Sequence, residues 1–356
     1  MYKDASARNE SGTALTVATK GIAVGHLRDR PPREQRTVLR HLVFAIGAVG
    51  ALAVALPPSL GTPILVFSMA AIGCNLLLGT GGLLSFGQGA LFGAGAYAFT
   101  LATVRGGSEP LVALLVSVAA GTAGGAFMGT ISSARRGIPG VMLTFALAQL
   151  AVFSVYAFRR ITGGEDGIRG VPSTLLALGP FQLNHALSTY VVSALLFTLI
   201  VVTAARLNES PLGYALKAVR DNEDRVAAIG LHVRQLKITA FAISGAITAT
   251  AGAAHTLYLQ SVSIDAVSVG TGIAILMISI LGGSRSVAGA VLGAVVFTVL
   301  SDRLALVWSR WPMLLGIALI LSAIGLRGGL WGLITDLRAW FRLRMAALRH
   351  ETRVGT

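Results

Sequence analysis

Long apolar stretches recur along the chain from Leu42 to Leu326, separated by short polar segments. A helix needs about 20 mostly apolar residues to cross the hydrocarbon core of a bilayer. The pattern therefore predicts an all-α polytopic membrane protein with about ten transmembrane helices, some short or broken. The predicted spans are 42–56, 60–79, 83–104, 110–131, 138–158, 186–205, 236–259, 267–283, 286–301 and 312–326. We expect half-spans or tilted pieces at 42–56, 267–283 and 286–301, which are short or interrupted by glycine.

Composition agrees with a bilayer environment, since 54% of the 356 residues are apolar and only 12% are charged. A net charge of +14 raises the question of nucleic-acid binding, and the positions of the basic residues decide it. Of the 29 Lys and Arg residues, eight precede residue 42, six lie within 206–237 and six lie from Arg327 onward. These clusters fall between the spans, which argues against nucleic acid as a partner and fits the positive-inside rule.

The charge clusters predict that both termini and the 206–237 loop are cytoplasmic and that 159–185 is external. Three regions follow: a disordered cytoplasmic tail (1–41), a transmembrane domain (42–326) and a basic cytoplasmic tail (327–356). The N-terminal tail lacks the apolar core of a cleaved signal peptide, so we expect 42–56 to remain as the first span. The single cysteine, Cys74, can form no intramolecular disulfide.

Glycine concentrates in two clusters, Leu78–Gly95 and Leu281–Ala294. Small residues let helix backbones approach closely in lipid, so tight packing explains many single glycines. Interrupted helices that line a solute path are a second interpretation, which we favour for the clusters as wholes. Both clusters carry consecutive glycines, then a serine and more small residues, a hint of internal duplication that is too short to prove one.

Residues 210–231, SPLGYALKAVRDNEDRVAAIGL, predict two short helices with one apolar and one charged face. Ser210 can cap the first with Pro211 at its first position, and Asn222 can cap the second, which Gly230 would end. A helix pair lying on the membrane surface is the plainer interpretation. The charged face is mixed in sign, whereas such surface helices are usually strongly basic, so a protein partner fits better.

This stretch resembles the cytoplasmic coupling loop of the branched-chain amino-acid ABC importer permeases. Three more segments resemble the same family, in particular its larger permease subunit: LLLGTGGLLSFGQGALFGAGAY (76–97), TGGEDGIRGVP (162–172) and ILGGSRSVAGAVLGAV (280–295). The resemblance implies a bacterial inner-membrane permease that works with a second homologous permease, two ATPase subunits and a periplasmic solute-binding protein.

Within this loop we expect Leu212, Leu216 and Ile229 to anchor the chain in a groove of an ATPase subunit. The neighbouring charges would set partner choice more than affinity. The predicted coupling residues are Leu212, Gly213, Leu216, Arg220, Asn222, Glu223, Asp224, Ile229 and Gly230.

Few polar residues lie in the middle of the spans, and these are the candidates for a solute path: Asn75, Ser85, Gln88, Thr144 and Gln149. Each such residue more often joins helices by hydrogen bonds than contacts a substrate. We expect Ser85, Gln88 and Thr144 to lie near one another in the interior, because polar groups face lipid only at a cost. The family commonly has histidine where this chain has Gln88. A glutamine side chain does not titrate, so a mechanism that needs a proton at this position is not expected here.

The sequence contains no GxxxxGK[ST] phosphate loop, so ATP hydrolysis is expected on a separate subunit and the chain is not predicted to be an enzyme. No cofactor or metal site is predicted. His255, Asp265 and Asp302 fall near span ends, which disfavours an ion-coupled carrier. Ser85 has no histidine placed as its base, which disfavours an intramembrane serine protease.

The sequence thus favours an ABC importer permease for branched-chain amino acids or similar small solutes. A gated channel or secondary carrier for small neutral or zwitterionic solutes is the alternative.

Overall fold

The computed structural model describes residues 33–135, 137–171, 185–307, 313, 316–317 and 329–337, and these are almost entirely helical. The first helices along the chain are α1 (Arg33–Ala55), α2 (Pro58–Asn75), α3 (Gln88–Thr100), α4 (Pro110–Ser132), α5 (Ile138–Ala157) and α6 (Arg159–Thr162). They are followed by α7 (His185–Glu209), α8 (Pro211–Asp221), α9 (Glu223–Ala228), α10 (Val233–Leu259), α11 (Val269–Gly282) and α12 (Val287–Val307).

Six helices of the described chain are long and apolar enough to cross a membrane: Pro58–Thr80, Pro110–Ser132, Ile138–Ala157, His185–Glu209, Val233–Leu259 and Val287–Leu304. Two shorter apolar helices, Arg40–Ala55 and Val269–Gly282, accompany them. The predicted all-α polytopic fold is confirmed. The piece expected at 286–301 is a long helix rather than a half-span, and the predicted span 312–326 lies outside the described residues except at 313, 316 and 317.

Helices α2 and α10 form the centre of the bundle. In their apolar 18-residue stretches, 83% and 67% of the residues are buried, against 28% in α4 and 22% in α5. Glycines allow this packing. A Cβ atom added to Gly121 or Gly125 of α4 would overlap the backbone of α10 at Gly245 or Phe241. Tight helix contact is therefore one use of the chain's glycines, as expected for a bundle held together by close backbone approach in lipid.

The predicted span 83–104 is not one continuous helix, because its first five residues have no regular structure. A π-helical turn, Leu76–Thr80, extends α2, residues 81–87 have no regular structure, and α3 begins at Gln88. A second π-helical turn, Leu101–Arg105, extends α3. Single π-helical turns are frequently found at functional sites. The other glycine cluster is interrupted between α11 and α12, so both clusters contain a break in helical structure, as the sequence suggested.

The bundle has two distinct ends, defined by α10, whose 27 residues span about 40 Å. Helices α8 and α9 lie immediately before its first residue, at what we term the α8–α9 end. At the opposite end, strand β1 (Ile168–Arg169) pairs with strand β2 (Ser261–Val262) in antiparallel fashion. The 162–172 and 210–231 motifs therefore lie at opposite ends of the bundle.

Candidate functional site

The caps of α8 and α9 form as the sequence predicts. The Ser210 hydroxyl accepts a hydrogen bond from the amide of Gly213 at 3.2 Å, with Pro211 at the first helical position. The Asn222 side chain accepts one from the amide of Arg225 at 2.9 Å. These bonds satisfy amide groups that a helix N-terminus otherwise leaves unpaired. The two helices are thus defined largely by local sequence.

The apolar face of α8 packs against the chain's own bundle. Leu216 is fully buried in a cluster that includes Leu77, Met128 and Phe241, and Leu212 packs against the same cluster. The expectation that Leu216 anchors an ATPase subunit is therefore wrong, because a buried side chain is not available to a partner. Leu216 instead fixes α8 to the membrane domain. Gly213 lies so close to α7 that a Cβ atom there would overlap the carbonyl of Leu207.

The outer face of the helix pair combines exposed apolar and charged side chains. Tyr214 is 60% exposed and Ile229 is 71% exposed. Asp221, Asp224 and Arg225 are exposed on the same short segment. Large apolar residues next to charges of both signs are the composition of a protein-binding surface rather than of a helix on anionic lipid. Of the three expected anchors, Ile229 alone is well exposed, and Tyr214 was not anticipated.

A partly buried ion pair holds α9 against α10. The ammonium group of Lys237, whose side chain is 5% exposed, lies 2.8 Å from a carboxylate oxygen of Glu223. Glu223 therefore faces inward, and its predicted role in choosing a partner is at most indirect. Gly230 ends the segment with φ of +87°, the left-handed conformation expected there, and a Cβ atom at this position would meet nothing within 4 Å.

Gln88, at the start of α3, is fully buried and hydrogen-bonded at both ends of its amide. Its Nε2 donates to the Ser244 hydroxyl at 3.1 Å, and its Oε1 accepts from the Thr248 hydroxyl at 2.8 Å. Ser244 in turn donates to the carbonyl of Gly73 at 2.7 Å. This network joins α2, α3 and α10, so the structure favours helix joining as the role of Gln88.

Asn75 occupies a comparable position near the breaks. It accepts a hydrogen bond from the Ser279 hydroxyl and donates to the carbonyl of Ser286 at 3.3 Å. It also lines a cavity of about 30 Å³ with Thr80 and Asn208, a volume that suits a buried water molecule rather than a solute.

Ser85, Gln88 and Thr144 lie close together in the interior, as predicted. All three are buried, and the Thr144 hydroxyl accepts a hydrogen bond from the amide of Phe86 at 3.2 Å. Ser85 accepts one from the amide of Gly87 at 3.2 Å. Gln149 does not join them, because it is exposed on the outer side of α5.

Sequence reasoning missed an open-sided cavity of about 490 Å³ between α3, α5 and the 3₁₀ turn Ile264–Val267. Its lining is mostly apolar and includes Gly93, Tyr97, Val155 and Phe158. The Tyr97 hydroxyl is buried and has no hydrogen-bond partner within the described part of the chain. No signal in the sequence pointed to this cavity, since it depends on how two separate helices pack.

His255 is half-buried and packs against aromatic rings of the bundle. Its ring centroid is 5.3 Å from that of Phe92 and 6.1 Å from that of Phe67, and the two phenyl rings are stacked at 6.3 Å. His255 lies four residues before the end of α10, near a span end as the sequence predicts. In the described residues, no group of three or more His, Cys, Asp or Glu side chains could hold a metal ion.

Comparison with known proteins decides the family. The profile of the family described as "Branched-chain amino acid transport system / permease component" matches residues 59–335. The chain belongs to this permease family.

The relatives agree with this branched-chain-type permease assignment. The high-affinity branched-chain amino acid transport system permease protein LivM of Escherichia coli (strain K12) is 26% identical over 82% of this chain and 73% of its own length. LivM of Salmonella typhimurium is 27% identical over 72% of this chain and 65% of its own length. The chain is thus a permease of the ABC type that resembles the larger, LivM-type subunit.

Other relatives of the permease are named for different substrates. The fructose import permease protein FrcC of Rhizobium meliloti is 29% identical over 63% of this chain and 64% of its own length. The autoinducer 2 import system permease protein LsrC of Enterobacter sp. (strain 638) is 27% identical over 74% of this chain and 72% of its own length. Family membership therefore establishes a multi-pass membrane permease without selecting one solute.

Proposed function

We propose that this chain is a permease subunit that imports branched-chain amino acids or similar small solutes through the bacterial inner membrane, driven by ATP hydrolysis on separate subunits. It would pair with a second homologous permease, bind two ATPase subunits and receive solute from a periplasmic binding protein. The observation that carries the proposal is the helix pair α8–α9, which is fixed to the bundle on one face and presents Tyr214 and Ile229 on the other. A gated channel or a secondary carrier has no need of such a surface.

The expected coupling residues divide into two groups in this proposal. Leu212, Gly213, Leu216 and Glu223 would join the helix pair to the bundle, so that a shift of α8 or α9 moves the membrane helices. The exposed residues would contact the ATPase subunit, with Tyr214 and Ile229 as apolar anchors and the charges as selectors of the partner. Such a physical connection is what coupling between ATP hydrolysis and transport requires.

The choice of solute is supported by the cavity beside Tyr97. Its volume of about 490 Å³ falls in the range of small-molecule sites. A branched-chain amino acid could bury its side chain against this apolar lining with its ammonium and carboxylate groups toward the open side, whereas fructose has no apolar group of that size to bury. Asn75 and Gln88 are each hydrogen-bonded at both ends of the amide, which supports a structural role for them. Ser85 and Thr144 remain the candidates for an interior path, whereas the exposed Gln149 does not line it.

The proposed orientation places the α8–α9 end and both termini in the cytoplasm, with 159–185 outside. Single cysteines at Ser210 and Glu165, in a Cys74→Ser background, are expected to react with an impermeant maleimide from opposite sides of the membrane. Reaction of both from the same side would contradict this topology.

Transport itself is tested by uptake into proteoliposomes that contain the complete importer, with ATP inside and the binding protein outside. We expect leucine uptake that requires both ATP and the binding protein and that exceeds fructose uptake. Leucine uptake driven by an ion gradient without ATP would support a secondary carrier instead. Equal uptake of leucine and fructose would contradict the assignment of the solute.

A further inference from the structure

The last turn of α8 is bonded directly to the interrupted segment of the bundle. Nη1 of Arg220 donates a hydrogen bond to the carbonyl oxygen of Gly79 at 2.6 Å. The same guanidinium group pairs with the neighbouring Asp221 carboxylate at 3.2 Å, and the Arg220 side chain is 28% exposed. A charge-assisted hydrogen bond of this length is stronger than a hydrogen bond between two neutral groups, so it can transmit a displacement.

Gly79 belongs to the π-helical turn Leu76–Thr80, where the chain leaves α2 and enters the irregular residues 81–87. The last carbonyl groups of a helix have no partner within the helix, and a cationic side chain is favoured beside them. Arg220 therefore satisfies a carbonyl at the point where the helix is interrupted. The bond joins the proposed coupling helix to the segment that leads to Ser85 and Gln88.

The contact between Arg220 and the break has little free space. Gly82 has φ of +65°, and a Cβ atom there would lie 2.5 Å from Cγ of Arg220. Gly79 lies so close to the loop between α11 and α12 that a Cβ atom would overlap the carbonyl of Ser284. Both glycine-rich breaks therefore meet at the position that Arg220 holds.

A second connection runs through the end of α7. The Thr80 hydroxyl donates to Oδ1 of Asn208 at 2.9 Å, and the carbonyl of Asn208 accepts a hydrogen bond from Lys217 of α8 at 2.7 Å. The break is thus tied to α8 directly through Arg220 and indirectly through Asn208. A movement of α8 relative to α7 would change both connections.

We propose that Arg220 is the positioning residue that transmits movement of α8 to the interrupted segment Leu76–Gly87, an inference that rests on the function proposed above. Arg220 does not act on the solute. It holds the carbonyl of Gly79, so that a displacement of α8 by an ATPase subunit moves residues 81–87 and the start of α3. Without this bond, less solute would be transported for each ATP hydrolysed.

The test compares Arg220→Ala with Arg234→Ala, a control that removes the same charge from an exposed position at the start of α10. In the complete importer we expect Arg220→Ala to keep most of the ATPase activity and to lower leucine uptake per ATP hydrolysed about tenfold, the scale of one charge-assisted hydrogen bond. Arg220→Lys should restore part of the uptake, because an ammonium group can also donate to a carbonyl. Arg234→Ala should match the parent.

A spin label at Leu84, introduced as cysteine in a Cys74→Ser background, gives a readout that simple destabilisation would not mimic. Leu84 lies within the irregular segment and is 36% exposed. In the parent we expect ATP to change the label's mobility, and in Arg220→Ala we expect this change to disappear while the ATPase subunits still co-purify. An unchanged ATP response in the variant would overturn the inference.

If Arg220→Ala does not assemble, the glycine on the other side of the contact provides the test. Gly82→Ala should displace Arg220 and reduce uptake per ATP. Gly137 has nearly the same φ, +67°, but a Cβ atom there meets nothing within 4 Å, so Gly137→Ala should leave coupling intact. Equal effects of the two changes would overturn the inference. Failure of the parent to show ATP-dependent uptake would instead contradict the proposed function and the inference with it.

Discussion

The middle of the bundle and the α8–α9 end use polar residues differently. In the middle, Gln88 and Asn75 are buried and form hydrogen bonds with residues of neighbouring helices. At the α8–α9 end, one face is equally fixed to the bundle, but Asp221, Asp224 and Arg225 face outward beside Tyr214. The polar residues of the first region hold the helices of the chain together, whereas those of the second region form a surface suited to a protein partner. Changes in the first should therefore affect assembly, whereas changes on the outer face of the second should affect coupling.

The largest effect is expected from a glycine at the centre of the bundle. A Cβ atom at Gly95 would overlap the backbone of Ala249, which cannot move aside as a side chain can. Gly95→Val should therefore separate α3 from α10 and destabilise the protein by roughly 3 kcal/mol or more. The measurement is the yield of folded permease after detergent extraction, followed by size-exclusion chromatography.

Gly47→Val in α1 is the matched control for this prediction, because a Cβ atom there meets nothing within 4 Å. It should leave the yield near that of the parent. Equal yields of the two variants would show that the close approach of α3 and α10 is not needed for folding.

A smaller effect is expected from the ion pair at the α8–α9 end, and it should be asymmetric. Glu223→Gln leaves the ammonium of Lys237 buried without its carboxylate, which we expect to cost about 3 kcal/mol. Lys237→Met removes the buried charge itself and should cost much less. Maleimide labelling of a cysteine at Val226, which is 3% exposed, reports the release of α9. Faster labelling in Lys237→Met than in Glu223→Gln would contradict the expected asymmetry.

The smallest of these effects concerns Gln88. Gln88→Ala removes a partner from each of Ser244 and Thr248 and should lower stability by about 1–3 kcal/mol. Gln149→Ala, on the exposed side of α5, should change stability little. Thermal unfolding in the same detergent compares the two variants. A Gln88→Ala variant that unfolds at the parental temperature but no longer transports would move Gln88 from a structural role to one in the solute path.

Local signals explain what the sequence predicted well. The Ser210 and Asn222 caps, the left-handed Gly230 and the apolar stretches depend on residues close together in the chain, and the structure shows each of them. The break at the first glycine cluster is of the same kind, because consecutive glycines disfavour a continuous helix.

Long-range packing explains what the sequence did not predict. Leu216 lies on the apolar face of α8, and the pattern alone could not say whether that face meets a partner or the chain's own bundle. The ion pair between Glu223 and Lys237 and the cavity beside Tyr97 depend equally on contacts between separate elements. Family resemblance supplied the class of protein, but it carried no information about these contacts.

The central claim is that the outer face of α8–α9 contacts an ATPase subunit while its inner face does not. Single cysteines at Tyr214, Ile229 and Leu216, in a Cys74→Ser background, can be tested for cross-linking to the ATPase subunits in the complete importer. We expect cross-links from the first two positions and none from Leu216, which is fully buried. Cross-linking from Leu216 alone, or from none of the three while ATP-dependent uptake persists, would contradict it.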